Sequence, residues 1–221
     1  MRDFPGIILV ATIWAYWLGV GIMIARVRRE TRNLAGLVPE QRDQRLTIWL
    51  AWVPLVLAWI VIPYLALAHP RGRWSVWMFE RPELGYEALR WAAALCAVAS
   101  LLATSTCWSR MGRHWRMDVS SASKGKLITD GPFAYARHPI YSLARLLMVC
   151  SVVVVPTWPM LGLALLHFAL TQLKARQEEE HLSRVHGAAY DAYAARTGRF
   201  LPRPSPPRSS RPREARPGEE P

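Results

Sequence analysis

Four nearly unbroken apolar runs decide what this chain can fold into: Phe4 to Ile24, Leu46 to Ala68, Ala88 to Trp108 and Leu143 to Leu173. The first three are each about twenty residues long, the length of helix that crosses a hydrocarbon core roughly 30 Å thick. Pro54 and Pro63 interrupt the second, and Arg90 stands at the edge of the third. The fourth is too long for one crossing. Pro156 and Pro159, in "VVVVPTWPMLG", fall in its middle, where a helix would lose hydrogen bonds and meet ring clashes. It reads as a tight hairpin of two spans. The fold class is therefore all-α, a polytopic membrane bundle of about five transmembrane helices. The first run exceeds the 7–15 apolar residues of a signal peptide and no positive cluster precedes it, so it reads as a retained helix.

Charge sets the orientation. The chain is 52% hydrophobic yet carries a formal net charge of +12, and the basic residues alternate between loops. Arg26, Arg28, Arg29, Arg32, Arg42 and Arg45 follow the first run, and only Arg71, Arg73 and Arg81 follow the second. Arg110, Arg113, Arg116, Lys124, Lys126 and Arg137 follow the third, and a further group from Lys174 to Arg203 follows the hairpin. Positive loops stay cytoplasmic, which gives an outside N-terminus and a cytoplasmic C-terminus. Topology and contact with membrane lipids account for every basic cluster, so nucleic acid is not an expected partner. Most of the eleven tryptophans fall near span ends or in short loops, as interfacial anchors do.

Cys96, Cys107 and Cys150 lie in or beside apolar spans without metal-ligand or disulfide-framework spacing. His181 and His186 are five apart rather than the i, i+4 of a helical zinc site, so no metal is expected. The tail from Arg203 is rich in Pro, Arg and Ser with almost nothing to bury, and reads as disordered. Three regions result: N-terminal transmembrane helices over 1–115, a C-terminal part containing the hairpin over 116–202, and the tail over 203–221.

Two polar segments share the predicted cytoplasmic side. In "LKARQEEEHL" the pairs Lys174/Glu178 and Arg176/Glu180 each share a helix face, and periodicity alone does not say which pair faces a site. In "GPFAYARHPIY" Asp130-Gly131-Pro132 signals a turn, and Pro139 pushes His138 onto extended backbone while suiting the start of a helix. The His138 ring is expected to be free to bind. Together the segments offer carboxylates for an ammonium, backbone amides for a carboxylate and aromatic side chains for a ring, a pocket for a zwitterionic small molecule. Neither phosphate-binding glycine pattern fits "GKLITDG".

The order "LITDGPFAYARHPIY", a two-span hairpin, "RQEEEHL" and "HGAAYDAYAARTGRFLP" resembles the isoprenylcysteine carboxyl methyltransferase family, integral-membrane enzymes related to phospholipid N-methyltransferases. The resemblance covers about Gly125 to Pro202. It implies a cytoplasmic C-terminal part that binds S-adenosylmethionine through Gly125, Lys126, Leu127 and Ile128, largely by backbone. Phe133 stands where these enzymes typically carry Tyr. His138, Pro139, Ile140 and Tyr141 would wall the cofactor and Glu178 would hold it. Lys174 occupies the place of an Arg that faces the acceptor, and Leu143 that of a common Gly; Arg145 lies within the following span. Lys174 keeps the charge but not the planar fork that grips a carboxylate. The implied activity is methyl transfer to a carboxylate or other nucleophile of a lipophilic small-molecule or lipidated acceptor. The rival readings are a non-catalytic membrane scaffold of the same fold and an NADPH-dependent membrane reductase. The "EEE" cluster suits an ammonium and repels phosphate, which favours methyl transfer.

Overall fold

The computed structural model describes residues 3–31, 48–69, 84–111 and 127–203. Gly125, Lys126 and Lys124, the loop arginines Arg32, Arg42, Arg45, Arg71, Arg73, Arg81, Arg113 and Arg116, and the tail beyond Arg203 lie outside these residues.

Helix α1 spans Phe4–Thr31. Asp3 starts it: its carboxylate accepts the Gly6 N–H at 3.0 Å, satisfying one of the donors that a helix leaves open at its first turn. A π-helical turn, Ile48–Trp52, leads into α2, Val53–Ala68. Pro54 falls in the first turn of α2, where a missing N–H costs nothing, and Pro63 is carried inside the helix and buried. Helix α3 spans Leu84–Met111. A 3-10 turn, Gly131–Ala134, precedes α4, Pro139–Val154, and α5 spans Trp158–His186. The short α6, Ala188–Arg196, completes the order.

The break in the long apolar run is where the prolines put it. Helix α4 stops at Val154, and Pro156 lies between the helices. The Thr157 hydroxyl caps α5 by accepting the Met160 N–H at 3.3 Å. Pro159 does not break anything: it occupies the first turn of α5, the position that its fixed φ suits.

The helices alternate in direction. The start of α1 meets the end of α2, where a Cβ on Gly6 would approach Leu67 Cδ2 to 2.5 Å. α1 and α3 run parallel: Asp3 pairs with Arg90 near their starts, and Trp108 covers Gly19 further along, leaving no room for a side chain there. Helix α4 returns antiparallel to α3, so that Val154 at its end reaches Arg90. Leu9, Ile13, Trp59, Leu147, Met148 and Met160 form the shared core. Leu18, Ile22, Leu95, Leu102 and Leu165 face outward and exposed, the pattern of a surface whose solvent is lipid.

Three helices are long and apolar enough to cross a membrane: Phe4–Arg26, Leu50–Ala68 and Gly85–Met111. Helix α4 has 16 residues, about 24 Å at 1.5 Å per residue, short of a full hydrocarbon core. Helix α5 has 29 residues, apolar at its start and charged from Lys174 onward. Among the described residues every extended element is helical, and an isolated parallel bridge joins Ala136 to Gly198.

Candidate functional site

That bridge builds the site. Gly131, at φ 59, takes a left-handed conformation that L side chains rarely adopt, and turns the chain into the 3-10 segment. The chain then extends through Ala136 to His138, as the residue before Pro139 must. The Arg137 N–H donates to the Gly198 carbonyl at 2.8 Å and the His138 N–H to the Arg199 carbonyl at 3.0 Å. Gly187, at φ 52, ends α5 and sends α6 back. The Tyr193 hydroxyl locks that return by donating to the Phe133 carbonyl at 2.6 Å. Residues 197–200 thus form a strap across the start of α4, closed by the Ser142 hydroxyl donating to the Phe200 carbonyl at 2.5 Å.

Beneath the strap, α5 presents two adjacent carboxylates. Glu178 accepts the Tyr141 hydroxyl at 2.5 Å and lies 3.4 Å from His138 Nδ1. Glu179 is the hub. It accepts Arg137 Nε at 2.9 Å and Arg199 Nη2 at 2.5 Å, and lies 3.2 Å from His138 Nε2. Arg137 is fixed further by donating to the carbonyls of Ala194 and Thr197. The His138 ring stacks on Tyr141, with centroids 5.5 Å apart and planes 12° from parallel.

The expectation of a free His138 ring is corrected here. His138 is 7% exposed, and its two ring nitrogens are taken by two glutamates. Burial alone would lower its pKa, but the hydrogen bonds and charges of Glu178 and Glu179 outweigh that and raise it. Both carboxylates shift the other way. Burial opposes the ionised Glu178, yet His138, Lys174 and Tyr141 pull its pKa below the usual range. Glu179 falls further below it, under His138, Arg199 and Arg137.

These shifts set a pH dependence. A raised histidine pKa contributes stability that is fully present below the unfolded value, about 6.5, and is lost as pH rises through the folded value. Depressed glutamate pKa values contribute stability present above about 4.5 and lost as pH falls through the folded values. The ionised trio is therefore strongest between those limits. Comparing thermal melting of wild type and His138→Gln in detergent from pH 5 to pH 9 should show the largest gap near pH 5–6.5, closing on the alkaline side. A gap independent of pH would refute the charged pairing.

Of the residues expected to contact a cofactor, Leu127 and Ile128 are half-buried on non-helical chain. Their backbone groups make no backbone hydrogen bond among the described residues. Phe133 and Pro139 are buried, and Ile140 packs against the core. Tyr141 and Glu178 are joined directly. Lys174 is half-buried one turn before Glu178 and acts on it through its charge, without a direct ion pair. Arg176 and Glu180 are exposed, away from the cluster.

Sequence reasoning passed over Glu179, Arg199 and Phe200, and read Arg137 only as an interfacial charge. "RQEEEHL" and "RTGRFLP" contain three of the four, but nothing in their spacing joins residue 179 to residue 199. Among the described residues no group of three or more His, Cys, Asp or Glu could hold a metal ion.

Comparison with known proteins places this arrangement in context. The chain is 28% identical over 161 residues to the nickel-cobalt-cadmium resistance protein NccN of Alcaligenes xylosoxydans xylosoxydans. The alignment covers 72% of this chain and 65% of that relative's length. Residues 88–189, just under half the chain, match the family described as phospholipid methyltransferase. The matched stretch contains α4 and α5 whole, most of α3, and His138, Tyr141, Glu178 and Glu179. Over that stretch the chain fits the phospholipid methyltransferase family, to which the isoprenylcysteine enzymes that its motifs resemble are related.

Proposed function

We propose that the protein is an integral-membrane methyltransferase that uses S-adenosylmethionine and methylates a lipophilic acceptor from the cytoplasmic face, crossing the membrane five times. The observation that carries this reading is the meeting of His138 and Tyr141 with Glu178 at one end of the bundle, inside the stretch that matches a methyltransferase family. The family match supports a membrane methyltransferase in general; acceptor and residue roles are our own assignment.

The residues suit the cofactor chemically. Glu178, 23% exposed at its side chain, offers a carboxylate to an ammonium, and the backbone of Leu127 and Ile128 offers donors and acceptors. Bound S-adenosylmethionine supplies a sulfonium methyl already activated for transfer. The protein's task is alignment, and holding two reactants in line is worth roughly 7–11 kcal/mol of barrier. An acceptor carboxylate would bring no proton to be removed, so the chain would need only to hold it in line with the methyl of a bound cofactor. No general base is needed, and Lys174 serves by drawing the anionic acceptor to the site.

Isothermal titration of the detergent-purified protein with S-adenosylmethionine, and with NADPH in parallel, tests the reading. Wild type should bind the first and not the second. Glu178→Gln should weaken cofactor binding about tenfold or more, the worth of a hydrogen bond to a charged group, about 1.5–3 kcal/mol. Glu180→Gln, on the exposed face, should change little. With labelled cofactor and a panel of prenylcysteines, lipid amines and small thiols, Lys174→Ala should slow transfer while cofactor affinity holds, and Lys174→Arg should restore it. Heat from NADPH alone would replace methyl transfer with reduction. Cofactor binding without transfer to any acceptor would favour a scaffold.

A further inference from the structure

Four described arginines are not exposed: Arg90, Arg137, Arg145 and Arg199. Arg90 holds Asp3 and Glu87, while Arg137 and Arg199 share Glu179. Arg145 holds no carboxylate among the described residues. Its Nε donates to Thr171 Oγ1 at 2.8 Å, and its Nη2 to the Phe168 carbonyl at 3.0 Å and Gln172 Oε1 at 3.4 Å. All three partners are neutral. Its Nη1 has no acceptor among the described residues, and Arg199, of like sign, stands close enough to oppose it.

A cation held at the margin of a membrane is costly without a counter-charge, and such groups mark ligand sites. A helix–helix staple to three neutral acceptors uses Nε and Nη2 but leaves both the charge and Nη1 unused. The guanidinium is instead prepared as a receptor. Its Cζ lies 3.7 Å from the centre of the Phe200 ring and 5.1 Å from that of Phe168, so stacking on the rings fixes its plane.

A second observation lies beside it. His167, 2% exposed, leaves its Nδ1 buried without a partner. The His167 carbonyl accepts the same Thr171 hydroxyl that receives Arg145, at 2.8 Å, so the two residues belong to one hydrogen-bonded set. That set therefore holds an unpaired cation and an unfilled polar atom. Trp59 and Trp52 pack on the imidazole at 5.1 and 6.3 Å between centroids.

Position joins this set to the cofactor end. Arg145 is one helical turn beyond Tyr141, and Thr171 is seven residues before Glu178, the same α5 face about 10 Å along. Lys174 falls between. Phe200 bridges the two, its ring 6.0 Å from His138 and 3.7 Å from Arg145.

We infer that Arg145 anchors an anionic headgroup, a carboxylate or a phosphate, of an amphiphile whose hydrocarbon lies along the exposed apolar side chains of α4 and α5, such as Leu146, Val149 and Leu165. Calling this amphiphile the methyl acceptor rests on the methyltransferase reading; the anion site does not. The Lys at 174, in place of an Arg fork, then has a counterpart: the fork that grips the anion stands on α4.

The probes are oleate, oleyl phosphate and oleyl alcohol, which share one hydrocarbon chain and differ in headgroup, with binding measured in neutral detergent at pH 8. Wild type should bind the two anions at least tenfold more tightly than the alcohol. Arg145→Gln should abolish that preference and leave S-adenosylmethionine affinity unchanged. Arg145→Lys should keep the preference at reduced affinity. Gln172→Glu leaves Arg145 in place but supplies an internal counter-charge, and should also abolish the preference, which covers the case in which Arg145→Gln does not fold. Preference for oleate over oleyl phosphate would assign a carboxylate headgroup, and the reverse a phosphate. Anion preference without any cofactor binding would overturn the methyltransferase reading and leave the anion site standing. Equal binding of the alcohol by wild type, or undiminished anion preference in Arg145→Gln or Gln172→Glu, overturns the anion site whatever the cofactor does.

Discussion

Glu179→Gln should be the most damaging single change in the C-terminal half, more so than Glu178→Gln beside it. Glu179 is 13% exposed at its side chain and compensates Arg137, His138 and Arg199 together. The amide keeps the volume and removes the charge, leaving two guanidiniums and an imidazolium facing one another in a confined space. Breaking a buried pair by removing one partner costs about 3–5 kcal/mol. The Arg137 and Arg199 side chains also tie the strap to α5, so the loss should appear both as a lower melting temperature and as weakened S-adenosylmethionine binding. Glu178→Gln should affect mainly the second. The readouts are thermal melting in detergent and cofactor titration on both variants. If Glu179→Gln melts with wild type, the strap is held by its backbone bridge alone.

The second large effect lies at the opposite end of the bundle. Arg90 is buried, with Nη2 2.7 and 2.6 Å from the two Asp3 oxygens, Nη1 2.9 Å from Glu87, and Nε 3.2 Å from the Val154 carbonyl. One guanidinium thus gathers the starts of α1 and α3 and the end of α4. Arg90→Met should lower stability by about 3–5 kcal/mol, because it removes the guanidinium from a largely buried ion pair and from its bond to the Val154 carbonyl. Asp3→Asn separates two roles of that residue: the amide still caps α1 about as well as the acid does, so a loss reports the carboxylate's charge rather than the cap. Combining the two should be less harmful than their sum, since the two side chains act on each other directly. Strict additivity would mean that Asp3 and Arg90 do not act on each other.

Local rules made part of this legible. Pro156 and Pro159 revealed the hairpin because ring geometry is a property of the residue itself. Pro139 fixed the backbone of His138 for the same reason. A 3.6-residue helix sets Glu180 nearly opposite Glu178, and only the resemblance chose Glu178 as the inner one. Glu179, about 100° round from Glu178, could not be chosen over its neighbours, since what selects it is a strap twenty residues on. Helical periodicity carries no trace of a bridge between Ala136 and Gly198, 62 residues apart in sequence, and so the His138 ring read as free when it is clasped. Arg90 looked like a flaw at the edge of an apolar run because its partner, Asp3, is 87 residues away. Residue types announced a polar end rich in carboxylates, but not the contacts that assemble it.

The strap gives the molecule an order of completion. Synthesis runs from N- to C-terminus, so α4 and α5 exist before residues 197–200 do. Until those residues leave the ribosome, Glu179 has Arg137 and His138 but not Arg199, the Ser142 hydroxyl has no Phe200 carbonyl to meet, and Arg145 lacks its aromatic cover. A nascent chain with every long helix already made would therefore still have an unclosed site. Residues 197–200 act as the bolt, and a premature stop before Thr197 would leave a bundle of helices around a door that never shuts.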